Sequence, residues 1–140
     1  MALEEEKNKQ LIKSFVEEVC NKQNLAAIDK YHAANLTDGS GKTSESFKKS
    51  LTTLFSGFPD LHANIEHVLA ENDFVLVFLN FNGTHRGQFE GMPPTNKPVK
   101  IRSAGLYRIE NAKIVQHWDV VDSLDLLKQT GAITFTTTKP

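Results

Sequence analysis

The chain has 140 residues, 39% of them hydrophobic and 24% charged, which suits one domain with an apolar core and argues against wholesale disorder. A formal charge of −1 leaves no basic footprint for nucleic acid or an anionic membrane, and no block of like charge creates one. Cys20 is the only cysteine, which excludes an intrachain disulfide framework and a thiolate metal cluster.

Met1 to Lys7 is acidic and lacks the apolar core of a secretory signal, and no run approaches the roughly 20 apolar residues that cross a bilayer. A cytoplasmic protein is the expectation. Leu11, Ile12, Phe15, Val16, Val19 and Cys20 recur at helical spacing and predict a first helix with one apolar stripe, in which Cys20 packs. Asn24 is placed to cap a short second helix with Leu25, Ile28 and Tyr31 facing inward, and residues 35–42 read as loop. Thr43 or Ser44 caps a third helix whose stripe is Phe47, Leu51, Leu54, Phe55 and Phe58, and Pro59 ends it.

From Leu61 the period becomes extended. Leu61, Ala63, Ile65, His67 and Leu69 alternate with His62, Asn64, Glu66 and Val68, and Glu71 to Asp73 turn the chain. Residues 74–82 form a strand that is apolar on both faces to Leu79, so both faces need cover. Three short helices cover one face, and a homodimer through the back of the sheet is predicted to cover the other. Gly83 to Lys97 is a long connection stiffened by Pro93 and Pro94. Residues 98–109 return as a strand, Glu110 to Ala112 turn, and Lys113 to Asp122 are its hairpin partner. Asp122 or Ser123 then caps a helix over residues 124–129 that Gly131 closes. Residues 132–140 are a tail of the one domain, threonine-rich from Thr134. Helices first and an antiparallel meander after them define an α+β domain.

The hairpin partner carries the candidate chemistry. In regular extended chain Val115, His117, Asp119 and Val121 share one face, and Ile114, Gln116, Trp118 and Val120 share the other. Polar groups among so many large apolar ones imply a pair set against a core or cavity, and His117 with Asp119 is that pair. A turn centred near Asn111 places Gly105 opposite His117 and Ser103 opposite Asp119.

Five stretches together, Phe58-Pro-Asp-Leu61, Gly83-Thr-His-Arg-Gly87, Gly91-Met-Pro-Pro-Thr95, Lys113-Ile-Val-Gln-His-Trp-Asp119 and Leu126-Leu-Lys-Gln-Thr-Gly131, resemble the SnoaL-like polyketide cyclase family of the nuclear transport factor 2-like superfamily. The resemblance runs from the first helix to Gly131. It implies a conical barrel, in which a curved antiparallel sheet is closed by N-terminal helices over a deep apolar pocket, commonly as a dimer. It also implies an intramolecular aldol ring closure that uses no metal or organic cofactor. In the characterised cyclases the aspartate of the His-Trp-Asp segment is the acid/base, which here is Asp119, and a histidine on the preceding strand assists it. That second position falls on Gly105. Two further departures are Ala112 and Asn96, each where the family has a turn glycine, and Asn111 is able to take the left-handed conformation in place of Ala112.

The resemblance therefore implies a cofactor-independent enzyme of the cyclase or isomerase type acting on a small hydrophobic carbonyl compound. Asp119 would be a carboxylate in an apolar pocket, its pKa raised toward neutrality, against the alternative of a purely structural ion pair. His117 would share a proton with Asp119 or substrate, and a hydrogen-bonded core histidine is the equal reading. His85 at the pocket mouth, Tyr107 on the face of Gly105 and Asn80 at a strand end are candidate substrate contacts, set against solvation for His85 and Asn80 and packing for Tyr107. Gly105 adds room and removes a proton carrier, which favours the rival reading of a non-catalytic binding protein for a small apolar ligand. Arg102 and Arg108 fall on the face away from Gly105, and His62 and His67 face opposite ways in a regular strand, so no metal site is predicted. Epoxide hydrolysis, known on this fold with paired carboxylates, ranks last because Asp119 has no acidic partner.

Overall fold

The structure, a computed structural model, describes residues 2–37 and 43–133. The apolar stripe of the first helix is real, but the helix widens halfway. α1 (Ala2–Phe15) continues into a π-helical segment, Val16–Asn21, so that Ile12, Phe15, Val16, Val19 and Cys20 are all buried. At its end Asn21 clamps the sheet edge: its Oδ1 accepts from Ala63 N at 2.7 Å and its Nδ2 donates to Ala63 O at 3.1 Å. A 3₁₀ turn, Leu25–Ala27, leads into α2 (Ile28–Tyr31), and Asn24 sits at the N-terminal position without making the predicted side-chain cap. Thr43 does cap α3 (Ser44–Gly57), accepting from Ser46 N. The predicted loop falls partly at residues 38–42, and the tail at 134–140, outside the described residues.

Four strands follow: β1 (His62–Glu71), β2 (Phe74–Thr84), β3 (Pro98–Glu110) and β4 (Lys113–Val121), paired antiparallel in the order β1-β2-β3-β4. The sheet is curved but not closed, an arrangement compatible with a cone. On β3 every second residue from Val99 to Ile109 is buried, and this face holds the helices. α4 (Ser123–Thr130) is capped by Asp122, which accepts from Asp125 N at 3.1 Å, and ends at Gly131 in left-handed geometry. Gln129 fixes α4 to β3 by accepting from Lys100 N and donating to Lys100 O.

Two β-bulges change which side chains face inward, and neither was visible in the alternation. One lies between Ile65 and His67, so Ala63 and Ile65 point inward while His67 and Leu69 pair on the outer face with Phe78 and Leu76. His62 and His67 therefore share the outer face, contrary to the regular-strand reading. The other lies in β4, where Ile109 pairs with Ile114 but Arg108 pairs with Gln116. Val115 is the extra residue, and Ile114 joins His117 on the inner face, fully buried. The β3–β4 turn is Asn111-Ala112, with both residues at positive φ (50° and 59°), so Ala112 shares the left-handed strain that Asn111 was expected to carry alone. Asn96 takes its expected left-handed conformation at φ 58°.

The connection from β2 to β3 is tied down at the end of α3. Arg86 N and Gly87 N both donate to Gly57 O, and a Cβ added at Gly87 would lie 2.0 Å from the backbone oxygen of Ser56. Backbone cannot give way as a side chain can, so Gly87→Ala is expected to destabilise the fold by about 3 kcal/mol or more. An unchanged urea midpoint for that variant would show that the connection is not held as described.

Candidate active site

A cavity of about 410 Å³ lies between the helices and the inner face of the sheet, with His117, Asp119 and Tyr107 on its wall. β4 supplies the first two from one face. The β3–β4 register sets Tyr107 opposite His117 and Gly105 opposite Asp119, two residues away from the predicted pairing. His117 Nε2 is 3.0 Å from Oδ1 and 2.9 Å from Oδ2 of Asp119. The histidine side chain is 4% exposed and the aspartate 40%. Asp119 is therefore half open, not sealed among apolar groups as the resemblance led one to expect, and the buried partner is His117.

What holds His117 is an aromatic cluster. Its ring stacks on Tyr107 with centroids 4.3 Å apart, meets Phe47 edge-on at 4.8 Å and Phe15 at 6.0 Å, and lies 5.8 Å from His32. Phe15 also touches Tyr31, His32, Phe47 and Tyr107, so this one side chain of α1 links helices and sheet behind the site. Such offset and edge-on contacts orient rings as well as burying them.

The space over Gly105 is filled by Tyr107. A Cβ at position 105 would lie 2.8 Å from the Tyr107 hydroxyl oxygen, 2.9 Å from its ring and 3.1 Å from Asp119 Oδ1. The phenol oxygen and the carboxylate thus converge on the point where a side chain at 105 would begin. Burial, reinforced by the negative charge of Asp119, holds the Tyr107 hydroxyl well above its ordinary pKa, so it remains a neutral donor. Cys20 is on the same wall, and burial followed by the charge of Asp119 pushes its thiol up to about 12, which leaves it unreactive.

Two sequence candidates lie elsewhere. His85 is 0% exposed, stacked on Phe58 at 5.3 Å with its Nδ1 3.0 Å from Thr95 Oγ1, and it is not on the wall of the Asp119 cavity. It packs beneath the β2–β3 connection instead of standing at a mouth. Asn80 points to the outer face, where it donates to Glu66 at 2.6 Å and accepts from Asn64 and Asn82. Both are removed from any role in this cavity. Arg108 and Arg102 are on the outer face as expected, Arg108 bound to Asp73 and Glu110. Among the described residues no group of three or more His, Cys, Asp or Glu is arranged to hold a metal ion.

The sequence reading missed His32. It is buried, its Nδ1 is 2.8 Å from Ser44 Oγ, and its Nε2 has no partner. A bridge from His32 to Ile114, with Ala33 N donating to Ile114 O, brings it beside His117. Only that long-range clip reveals it, because nothing in the local pattern distinguishes position 32. Ser46, Ser50 and Ser123 also lie on the cavity wall and were not singled out by the sequence, and Ser103, on the inner face of β3, lies there too.

The sequence matches the family model described as SnoaL-like polyketide cyclase over residues 10–130. The chain belongs to the SnoaL-like polyketide cyclase family. AclR, a proposed hydroxylase of Streptomyces galilaeus, superposes on this SnoaL-like chain with a TM-score of 0.86 at 26% identity, covering 95% of this chain and 86% of AclR. A proposed polyketide cyclase of Acidithiobacillus ferrooxidans has a TM-score of 0.78 at 27% identity, covering 90% of this chain and 95% of its own. IdmH of Streptomyces antibioticus, another proposed polyketide cyclase, gives 0.78 at 23% identity over 89% and 98% of the two chains, a likeness of fold. No curated protein matches the sequence. No helix among the described residues of this family member is long and apolar enough to cross a membrane.

Burial holds the His32 imidazole down at about 4 from its usual 6.5, with the neighbouring His117 adding to the effect. The unfolded chain binds this proton first as pH falls, so stability contributed above pH 6.5 is lost between 6.5 and 4. His32→Gln is expected to flatten that loss by up to about 3 kcal/mol. Urea midpoints across this pH window check it, and parallel curves for the two proteins would contradict it.

Proposed function

We propose that the protein is a cofactor-independent acid/base enzyme of the cyclase or isomerase type, acting on a small hydrophobic carbonyl compound. The observation that carries this reading is the convergence of the Asp119 carboxylate and the Tyr107 hydroxyl over Gly105, on a cavity wall that is otherwise mostly apolar. The carboxylate of Asp119 takes a proton from the carbon next to a substrate carbonyl, and the electron pair moves to the carbonyl oxygen. The Tyr107 hydroxyl donates a hydrogen bond to that developing enolate. In ring closure, the enolate carbon then bonds to a second carbonyl carbon of the same molecule, and its oxygen recovers the proton from Asp119. His117, with its proton on Nε2, donates to the carboxylate and fixes its direction.

Gly105 lacks the histidine of characterised cyclases, and the phenol supplies a donor at the same place. That support distinguishes the catalytic reading from mere binding of an apolar ligand. With acetophenone in deuterated water, the protein is expected to exchange the methyl hydrogens. Asp119→Asn should slow this at least about 10²-fold and Tyr107→Phe about 10-fold or more, with unchanged folding. Exchange at equal rates in wild type and Asp119→Asn would defeat the assignment.

A homodimer through the outer face of the sheet is proposed with it. Val120 is 73% and Leu69 62% exposed there, beside Leu76, Phe78, Leu106 and Trp118. An apolar sheet face of this kind ordinarily finds cover. Light scattering should give twice the chain mass for the wild type and a single chain mass for Leu76→Arg with Val120→Arg. A monomeric wild type would remove the proposal.

A further inference from the structure

α3 roofs the interior and is held unequally at its two ends. Its residues Ser46, Phe47, Ser50, Leu51 and Leu54 line the Asp119 cavity, and Lys49, Thr53 and again Leu54 line a separate space of about 600 Å³ toward α4. Open space beneath a helix is packing that the helix does not have. Leu51 and Gly57 are accordingly its only buried residues, while Phe47, Leu54 and Phe55 are half-buried.

Backbone fixes the C-terminal end. Gly57 O accepts from Arg86 N at 3.0 Å and from Gly87 N at 3.1 Å, and a Cβ added at Gly57 would lie 2.8 Å from that of Phe89. The N-terminal half has no such anchor, because among the described residues no backbone hydrogen bond joins residues 44–51 to the sheet or to another helix. Two side-chain contacts latch it instead: Ser44 Oγ lies 2.8 Å from His32 Nδ1, and Lys48 Nζ donates to Asp29 Oδ2 at 2.9 Å. The Asp29 side chain is 67% exposed, so water screens the ion pair. Leu51 and Phe47 seat the rest, with the Phe47 ring 4.8 Å from His117, 5.4 Å from His32 and 6.0 Å from Phe15.

We infer that α3 is a hinged lid: its N-terminal half swings from the latches at His32 and Asp29 about the fixed end at Gly57, and its closure seats Phe47 edge-on against His117, which orients that imidazole toward Asp119. An element with few packed side chains and no backbone anchor at one end opens far more readily than the domain unfolds. Phe47 is then a positioning residue, acting on the carboxylate through His117. This last step rests on the reading of Asp119 as the base, whereas the lid itself does not.

Cys20 reports the opening. It lines the Asp119 cavity from the π-helical segment at 7% exposure, with its thiol held protonated by burial, so the neutral disulfide 2,2′-dithiodipyridine reaches and reacts with it when the lid is raised. Ser44→Ala with Lys48→Met removes both latches and is expected to speed this labelling about tenfold. The rate should barely change in low urea, because the swing of one helix exposes little surface. Ser44→Ala with Asp29→Asn is expected to act in the same direction and serves if the first pair is unstable. Labelling at the wild-type rate in these variants, or labelling that climbs with urea as steeply as global unfolding, would overturn the lid. Phe47→Leu leaves both latches in place and is expected to lower kcat for acetophenone exchange about threefold or more at unchanged KM. An unchanged kcat would overturn the coupling to His117. Absence of exchange in the wild type would strike the reading of Asp119 instead, and Cys20 labelling would still decide the lid.

Discussion

The Tyr107 ring is stacked on His117 and braced by Phe15, and its hydroxyl lies over a glycine that leaves it room. Everything else in the site depends on that placement. A side chain at 105 would meet the phenol inside normal contact distance, so this tyrosine conformation and a histidine at 105 exclude each other as the backbone stands. The residue on β3 that faces Asp119 has no side chain, and the residue two further on supplies a polar group in the same space. The phenol is held as a neutral donor, because burial and the nearby carboxylate both oppose ionising it. A site so arranged has one proton acceptor on its open side, Asp119, and one hydrogen-bond donor aimed beside it.

The aromatic cluster also explains why His117 and Asp119 differ so much in exposure. Phe15, Phe47, Tyr107 and His32 surround the imidazole, while Asp119 lies two residues nearer the end of β4, where the strand runs out at Val121. The buried histidine is fixed by packing and the carboxylate by the histidine. The carboxylate is open to solvent in the free protein, so on the proposed reading the substrate's own bulk excludes water from it. This requirement favours a ligand that fills the cavity over one that only reaches it.

Much of the frame was legible because caps and turns are local. Thr43, Asp122, Gly131 and Asn96 each do what their side chains or conformational tolerance allow, whatever the tertiary context. The inner face of β3 and the pairing of His117 with Asp119 also followed from a period of two. The alternation failed at Glu66 and Val115, where a bulge adds a residue without leaving a compositional mark. The two-residue turn at Asn111-Ala112 and the bulge in β4 each moved the register by one, and together they replaced Gly105 by Tyr107 as the neighbour of His117. His85 was misplaced because a loop histidine reads as wet, whereas here the connection folds over it and Thr95 accepts or donates at its Nδ1. His32 was invisible because a single long-range bridge to Ile114 brings it to the site.

Fold alone does not choose the chemistry, since the same frame carries a proposed hydroxylase in AclR and a proposed cyclase in the Acidithiobacillus ferrooxidans protein. The choice is made by what converges on the reacting atom. In this chain the cavity wall offers a carboxylate, a phenol and serine hydroxyls, with the one thiol held protonated by burial. These groups can move a proton and stabilise an oxyanion. Proton transfer at a carbon next to a carbonyl asks for those two functions and no more. The arrangement over Gly105 supplies both within one contact distance of a single point.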